Sequence, residues 1–174
     1  MMQYVAYEPT VEIVGRAILA TTGGPDDLTL DALQRRGVSA VDPDGWYPQQ
    51  VWLDVLKELD QGGMLNMVMV GMKIPDSLTL PAQVGSVEGA LASLDEVHHA
   101  HHRGGEIGHY RCEHVAEHHV RMVCDSPYPS DLDYGIVFAT TRRYVGRGRA
   151  FTVVRAASPS RRHGDDCCIY MIKW

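Results

Sequence analysis

The chain has 174 residues, of which 45% are hydrophobic and 22% are charged, and its formal net charge is −6. This composition is typical of a soluble globular protein, and the acidic balance argues against a general nucleic-acid binder, which needs a basic surface. No apolar run reaches the roughly 18 residues of a transmembrane helix. We therefore expect neither a nucleic-acid partner nor a membrane partner.

The first residues contain neither the basic region nor the apolar region of a secretory signal, which predicts a cytoplasmic protein. The length favours a single ligand-binding domain over residues 1–174, with a helical N-terminal part at 1–60.

The N-terminal part is predicted to contain three elements. Residues 10–22 are compatible with either a strand or a short helix, and residues 28–36 have the pattern of a short amphipathic helix. A longer helix is predicted to begin at Trp46, with Pro48 in its first turn, where proline is favoured. Two glycines at 62–63 end it.

A methionine-rich segment follows at residues 64–73 and is apolar nearly all round, which is typical of a buried helix. Methionine side chains such as those of Met67 and Met72 adapt to irregular spaces. The helix is therefore interpreted either as ordinary core or as one wall of a ligand cavity. A linker with two prolines is predicted at residues 75–85.

The segment at residues 86–103, which we call the histidine helix, contains four of the nine histidines. Ser86 is predicted as its N-cap. At about 100° per residue, His98 and His101 fall within the apolar stripe and His102 lies at its edge. At least one imidazole is therefore expected to point into the core. The stripe itself consists of Val87, Ala90, Leu91, Leu94 and Val97.

The C-terminal half changes to alternating patterns. Residues 106–114 and 117–124 predict a hairpin, residues 132–145 predict a helix capped by Ser130 or Asp131, and residues 150–157 and 167–174 predict a second hairpin. The sequence thus favours an α+β fold, in which N-terminal helices precede a four-stranded antiparallel sheet packed on helices.

Three stretches carry a family resemblance: LASLDEVH at 91–98, YPSDLDYGIVFATTRRYVG at 128–146 and HGDDCCIYMIKW at 163–174. Together they resemble the superfamily of haem nitric-oxide/oxygen-binding domains, 4-vinyl reductase-like sensor domains and Golgi transport-particle subunits. The resemblance covers residues 61–174 and implies that His98 occupies the haem-ligating position. It further implies a homodimer, and we expect the signal to pass to a separate output protein.

One departure from the haem-binding branch concerns the residues that hold the haem propionates. That branch has a Tyr-x-Ser-x-Arg string after the hairpin, whereas residues 124–128 read CDSPY here and match only at Ser126. Haem therefore stays open as a cofactor, beside a small apolar or aromatic ligand.

The preferred hypothesis is a small-molecule or gas-sensing protein with a pocket between the histidine helix, the methionine-rich helix and the sheet. His98 would contact the ligand or the haem iron. The predicted apolar walls are Leu91, Leu94, Met67 and Met72.

A metal-binding protein or metalloenzyme is the alternative hypothesis. His98 and His102 have i, i+4 spacing, which allows two imidazoles to bind one cation. His109 and Cys112 are candidate further ligands, so that zinc or iron would activate water or oxygen. A purely structural adaptor is a third alternative. The absence of a CxxC motif predicts free cysteines rather than a zinc knuckle.

Overall fold

The computed structural model describes residues 3–22, 28–63, 66–77 and 84–174. The start of the predicted methionine-rich helix (64–65) and most of the predicted linker (78–83) lie outside the described residues. The helices are α1 (Gly15–Leu19), α2 (Leu28–Gln34), α3 (Gln49–Gln61), α4 (Met67–Ser77), α5 (Val87–Ala92), α6 (Leu94–Ala100) and α7 (Ser130–Tyr144). The strands are β1 (Glu12–Val14), β2 (Trp46–Pro48), β3 (His102–Arg103), β4 (His109–Ala116), β5 (His119–Asp125), β6 (Thr152–Arg155) and β7 (Cys168–Lys173).

The larger sheet confirms the predicted α+β class and both hairpins. Its strand order is β4-β5-β7-β6, and every neighbouring pair is antiparallel. Val120 and Met122 pair with Ile172 and Tyr170, and all four side chains are buried. This alternation directs one face of the sheet into the core. All four cysteines are free, as predicted.

A smaller sheet of order β2-β1-β3 corrects two predictions. Trp46 does not begin a helix; it pairs with Val14 in a strand, and the helix begins only after Pro48. The position before proline disfavours helical dihedrals, which explains why Tyr47 remains extended. The 10–22 segment contains both predicted alternatives, a strand followed by a short helix.

The histidine helix is not one helix, because it breaks at Ser93. Ser93 donates its hydroxyl to the Gly89 carbonyl oxygen at 2.8 Å, an interaction that competes with the regular backbone ladder. Ser86 is the N-cap, as predicted, and its Oγ accepts from the Gly89 N–H at 3.0 Å. The second half, α6, ends before His102, which pairs with Ile13 in the small sheet.

The methionine-rich helix α4 is buried on one side only, contrary to the prediction, since Met69 is 56% exposed. It also extends through Pro75, where the linker was predicted to begin. Arg143 of α7 donates to the Pro75 carbonyl oxygen at 2.7 Å and so joins this end of α4 to its packing partner.

Helix α7 begins at Ser130, with Pro129 at its N-cap. The predicted side-chain cap from Ser130 or Asp131 is wrong, because Pro129 is the N-cap residue and the Ser130 N–H donates instead to the Oε1 of Gln3 at 2.8 Å. None of the helices in the described part of the chain has the length and apolar character needed to span a membrane.

Candidate functional site

A cavity of about 120 Å³ lies between α1, α3, α4, α6 and α7. Its walls are mainly apolar, and its volume is close to the roughly 150 Å³ that accommodates benzene in an engineered protein cavity. The apolar lining consists of Ile13, Ala17, Ala20, Trp52, Ile74, Leu94, Val97, Leu132 and Ile136.

Imidazole and phenol groups supply most of the polar lining on the α6 side. They come from the end of α6, from the start of the strand that follows it, and from the residues around the large sheet. These side chains are His98, His101, His102, Tyr110 and Tyr128.

His98 is a neutral imidazole at the pocket wall. Burial, together with the neighbouring His102, lowers the pKa of His98 well below its usual value. Its Nε2 lies 3.1 Å from the Ile107 carbonyl oxygen, which can only accept, so Nε2 carries the hydrogen. The lone pair of His98 therefore resides on Nδ1.

His102 belongs to a buried chain of hydrogen bonds. Its Nδ1 lies 2.8 Å from the His98 carbonyl oxygen and must donate, so its Nε2 accepts from the Tyr128 hydroxyl at 2.6 Å. The Gln49 amide in turn donates to that hydroxyl oxygen at 3.4 Å. Burial lowers the pKa of His102 to about 4 and raises that of Tyr128. All the groups in this series of hydrogen bonds are therefore neutral, and the bonds fix the orientation of the His102 ring.

His101 also lines the pocket and is half-buried. Its Nδ1 lies 2.7 Å from the Val97 carbonyl oxygen and donates to it. This bond leaves the lone pair on Nε2. The rings of His98 and His101 thus both line the α6 side of the cavity.

The structure places the predicted cofactor residues in different surroundings. His98 and Leu94 line the cavity, but Leu91 and Met67 are fully buried in the core and Met72 is half-buried; these three are not among the lining residues. For the two methionines the reason is that the cavity meets α4 at Ile74 and Ser77, whereas Met67 is its first residue and Met72 its middle one.

The α1 wall was missed by the sequence analysis. Ala17 of α1 and its C-cap residue Ala20 contribute to it, and α1 has only five residues. A helix this short contains too few turns for an apolar period to be recognised.

The four predicted metal ligands do not come together. His98 and His102 are adjacent, with ring centroids 4.6 Å apart. His109 lies instead beside Asp95, its Nδ1 being 3.3 Å from both carboxylate oxygens. Cys112 is half-buried, and burial raises the pKa of its thiol to about 11.

Ser126 is the residue that matches the family's Tyr-x-Ser-x-Arg string. It is buried and belongs to a network that contains an ion pair. It accepts from Arg161, whose guanidinium pairs with the fully buried Asp133. Arg161 is therefore not directed to the pocket. Among the described residues, Arg16 is the arginine that lines the pocket, and it pairs at the surface with Asp44.

No protein-family model matches the sequence, and no curated protein is similar to it. Solved structures with a similar fold include H-NOX proteins. One from S. oneidensis in the Fe(II)NO ligation state has a TM-score of 0.67 and 9% identity, covering 92% of this chain and 98% of that chain. The Fe(II) unliganded H-NOX protein from K. algicida has a TM-score of 0.62 and 12% identity, with coverages of 92% and 96%.

A third similar structure is an oxygen-binding H-NOX domain related to soluble guanylate cyclases, in its oxygen complex. Its TM-score is 0.61 and its identity 18%, with 91% of each chain covered. At these identities the likeness shows the fold. The haem nitric-oxide/oxygen-binding fold inferred from the sequence is thus confirmed, whereas the relation to 4-vinyl reductase-like domains and Golgi subunits stays a prediction.

Proposed function

We propose that this chain is a sensor that binds a small molecule or a gas in the pocket beside α6. The observation that carries the proposal is the neutral, pocket-lining imidazole of His98, at the position that resembles the family's haem-ligating histidine. The fold supports it, since the similar structures are H-NOX proteins solved with Fe(II), NO or oxygen.

The donor set of the pocket fits haem. Iron porphyrins are ligated by neutral imidazole, which His98 presents, and His101 adds a second imidazole at the pocket wall. Haem would supply an iron atom that binds a diatomic gas, and Arg16 would be the cationic partner for its carboxylates. Haem is larger than the cavity of about 120 Å³, so the pocket must widen to admit it. A neutral aromatic molecule of benzene size fits the cavity directly.

The protein's own side chains have defined roles in either case. Trp52, Leu94 and Val97 exclude water from the pocket, which strengthens polar contacts inside it. The His102–Tyr128 hydrogen bond holds one wall rigid. The lone pair of His98 either binds iron or accepts a hydrogen bond from a ligand hydroxyl.

Hemin titration of the purified protein tests the haem form of this proposal. We expect a saturable Soret band at one haem per chain, which is shifted or lost in His98→Ala. His101→Ala tests the second imidazole, and His163→Ala is the matched control because His163 is exposed and does not line the pocket.

A band of equal strength in wild type, His98→Ala and His101→Ala would show that hemin binds outside the pocket. That result would overturn the proposal that the pocket binds haem. Phenol binding, measured as a rise in the urea midpoint, tests the small-molecule form. Failure of both would remove the proposed function.

The sensor hypothesis is favoured over the metalloenzyme alternative, because the four predicted ligands do not all come together: His109 lies beside Asp95 instead. The homodimer, the separate output protein, the single-domain organisation and the cytoplasmic location remain predictions.

A further inference from the structure

A second histidine group lies outside the pocket, between α6 and the start of β4. Asp95 and His99 belong to α6, and His109 is the first residue of β4. One potential ligand atom from each lies within 4.8 Å of the others. The side chains are 35%, 41% and 43% exposed, respectively, so solvent ions reach them.

The carboxylate of Asp95 is held in place by its neighbours. Its Oδ1 accepts from the Tyr110 N–H at 2.8 Å, which joins α6 to β4. The Nδ1 of His109 lies 3.3 Å from both carboxylate oxygens. A tetrahedral zinc ion with bonds of about 2.0–2.2 Å separates its ligand atoms by about 3.3–3.6 Å. Asp95 and His109 are therefore already at ligand spacing.

His99 is oriented by its own backbone hydrogen bond. Its Nδ1 lies 2.8 Å from the Asp95 carbonyl oxygen and 3.7 Å from the Oδ1 of the Asp95 carboxylate. When Nδ1 donates to the carbonyl, Nε2 is the ligand atom; ligation through Nδ1 would replace that hydrogen bond. The rings of His99 and His109 face each other, with centroids 5.0 Å apart and an interplanar angle of 31°. Such a backbone acceptor commonly fixes the tautomer of a metal-binding histidine.

Glu106 provides an outer partner for this group. Its Oε1 lies 4.0 Å from the Nε2 of His109 and accepts from the Ile107 and Gly108 N–H groups. If His109 binds a metal through Nδ1, its Nε2–H has a carboxylate oxygen 4.0 Å away. A carboxylate in this place raises the basicity of the ligating imidazole.

We propose that Asp95, His99 and His109 bind one first-row divalent metal ion, of which zinc is the best match, with water completing the tetrahedron. Two imidazoles and one carboxylate are a favourable donor set for zinc. The ion would join the exposed side of α6 to β4, next to the histidines of the pocket. The proposal does not depend on the proposed sensor function, because no pocket ligand takes part in it.

Calorimetric titration with Zn²⁺, and absorption titration with Co²⁺, test the site in chelator-treated protein without hemin. We expect one ion per chain and cobalt bands typical of tetrahedral coordination. His99→Ala, His109→Ala and Asp95→Asn should each weaken binding by at least about tenfold.

His114→Ala is the matched control, because His114 is also an exposed histidine of β4 beside a carboxylate, with its Nδ1 3.2 Å from Glu88. It should bind zinc as the wild type does. Equal binding in wild type, His99→Ala and His109→Ala would overturn the proposal. So would loss of binding in His98→Ala with retention in His99→Ala, since that result would place the ion in the pocket. Far-UV circular dichroism establishes that each variant is folded.

Discussion

Asp133 is a fully buried carboxylate whose partners come from three parts of the chain. It accepts from the Tyr110 hydroxyl at 2.5 Å and pairs with the Arg161 guanidinium, and the Ser126 hydroxyl lies 3.5 Å away. Because Tyr110 also lines the pocket, this network supports the pocket wall from behind. Removing two charges from water is costly, so an ion pair buried this deeply needs good geometry and additional hydrogen bonds to offset that cost.

Replacing Arg161 leaves the Asp133 charge buried without its counter-ion. We expect Arg161→Met to lower the free energy of unfolding by about 3–5 kcal/mol, measured by urea denaturation. Arg121→Met is the control, since Arg121 pairs with Glu113 at the surface and should change stability by about 1 kcal/mol at most.

The double variant Asp133→Asn/Arg161→Met removes both charges and should recover part of the loss. A change below about 1 kcal/mol in Arg161→Met would contradict the assigned role of the ion pair.

Helices α4 and α7 pack at very short range because glycine occurs on both sides of the contact. A Cβ at Gly71 would overlap the Leu132 carbonyl oxygen, and one at Gly135 would overlap the Val68 carbonyl oxygen. Backbone atoms cannot move aside as a flexible side chain does. The two glycines therefore determine the separation of the helices, and with it the position of the α4 end that borders the pocket.

Gly71→Ala should destabilise the protein by about 1–3 kcal/mol, because overpacking outweighs the better helix propensity of alanine. Thermal unfolding followed by circular dichroism measures the effect. Gly85→Ala is the control, since an added Cβ there would meet no atom within 4 Å and the backbone of Gly85 is not in the left-handed region. Equal melting temperatures for the two variants would contradict close packing of α4 on α7.

The pocket joins segments that are far apart in the chain. Its walls come from α1 near the N-terminus, from α6 in the middle and from α7 towards the C-terminus. A ligand that enters it contacts all of these elements at once. Binding should therefore stabilise the whole fold rather than a single element.

Phenol, a neutral aromatic of benzene size with one hydroxyl, is a suitable probe for the small-molecule form of the sensor. At a free concentration of about 100 times its Kd, a ligand that binds only the folded state adds about 2.7 kcal/mol to the free energy of unfolding. We expect phenol to raise the urea midpoint of the wild type. Ala17→Phe fills the cavity and should abolish the shift, whereas His163→Ala should retain it. If phenol leaves the urea midpoint of the wild type unchanged, that result would contradict the proposal that the pocket binds a small aromatic molecule.

Several features of this protein were determined by the sequence alone. Alternation over β4 and β5 predicted the hairpin, and the apolar stripe of the histidine helix placed His98 at a pocket wall. These signals are local, because a period of two or of 3.6 residues reports which side of an element is buried.

Only the tertiary structure decided which elements cover those buried sides. The sheet β2-β1-β3 pairs Ile13 with both Tyr47 and His102, partners that are distant in the sequence. The same long-range packing places His109 beside Asp95 rather than beside His98. A local period carries no information about the partner across a contact, and that partner decides whether a histidine meets a pocket, a carboxylate or solvent.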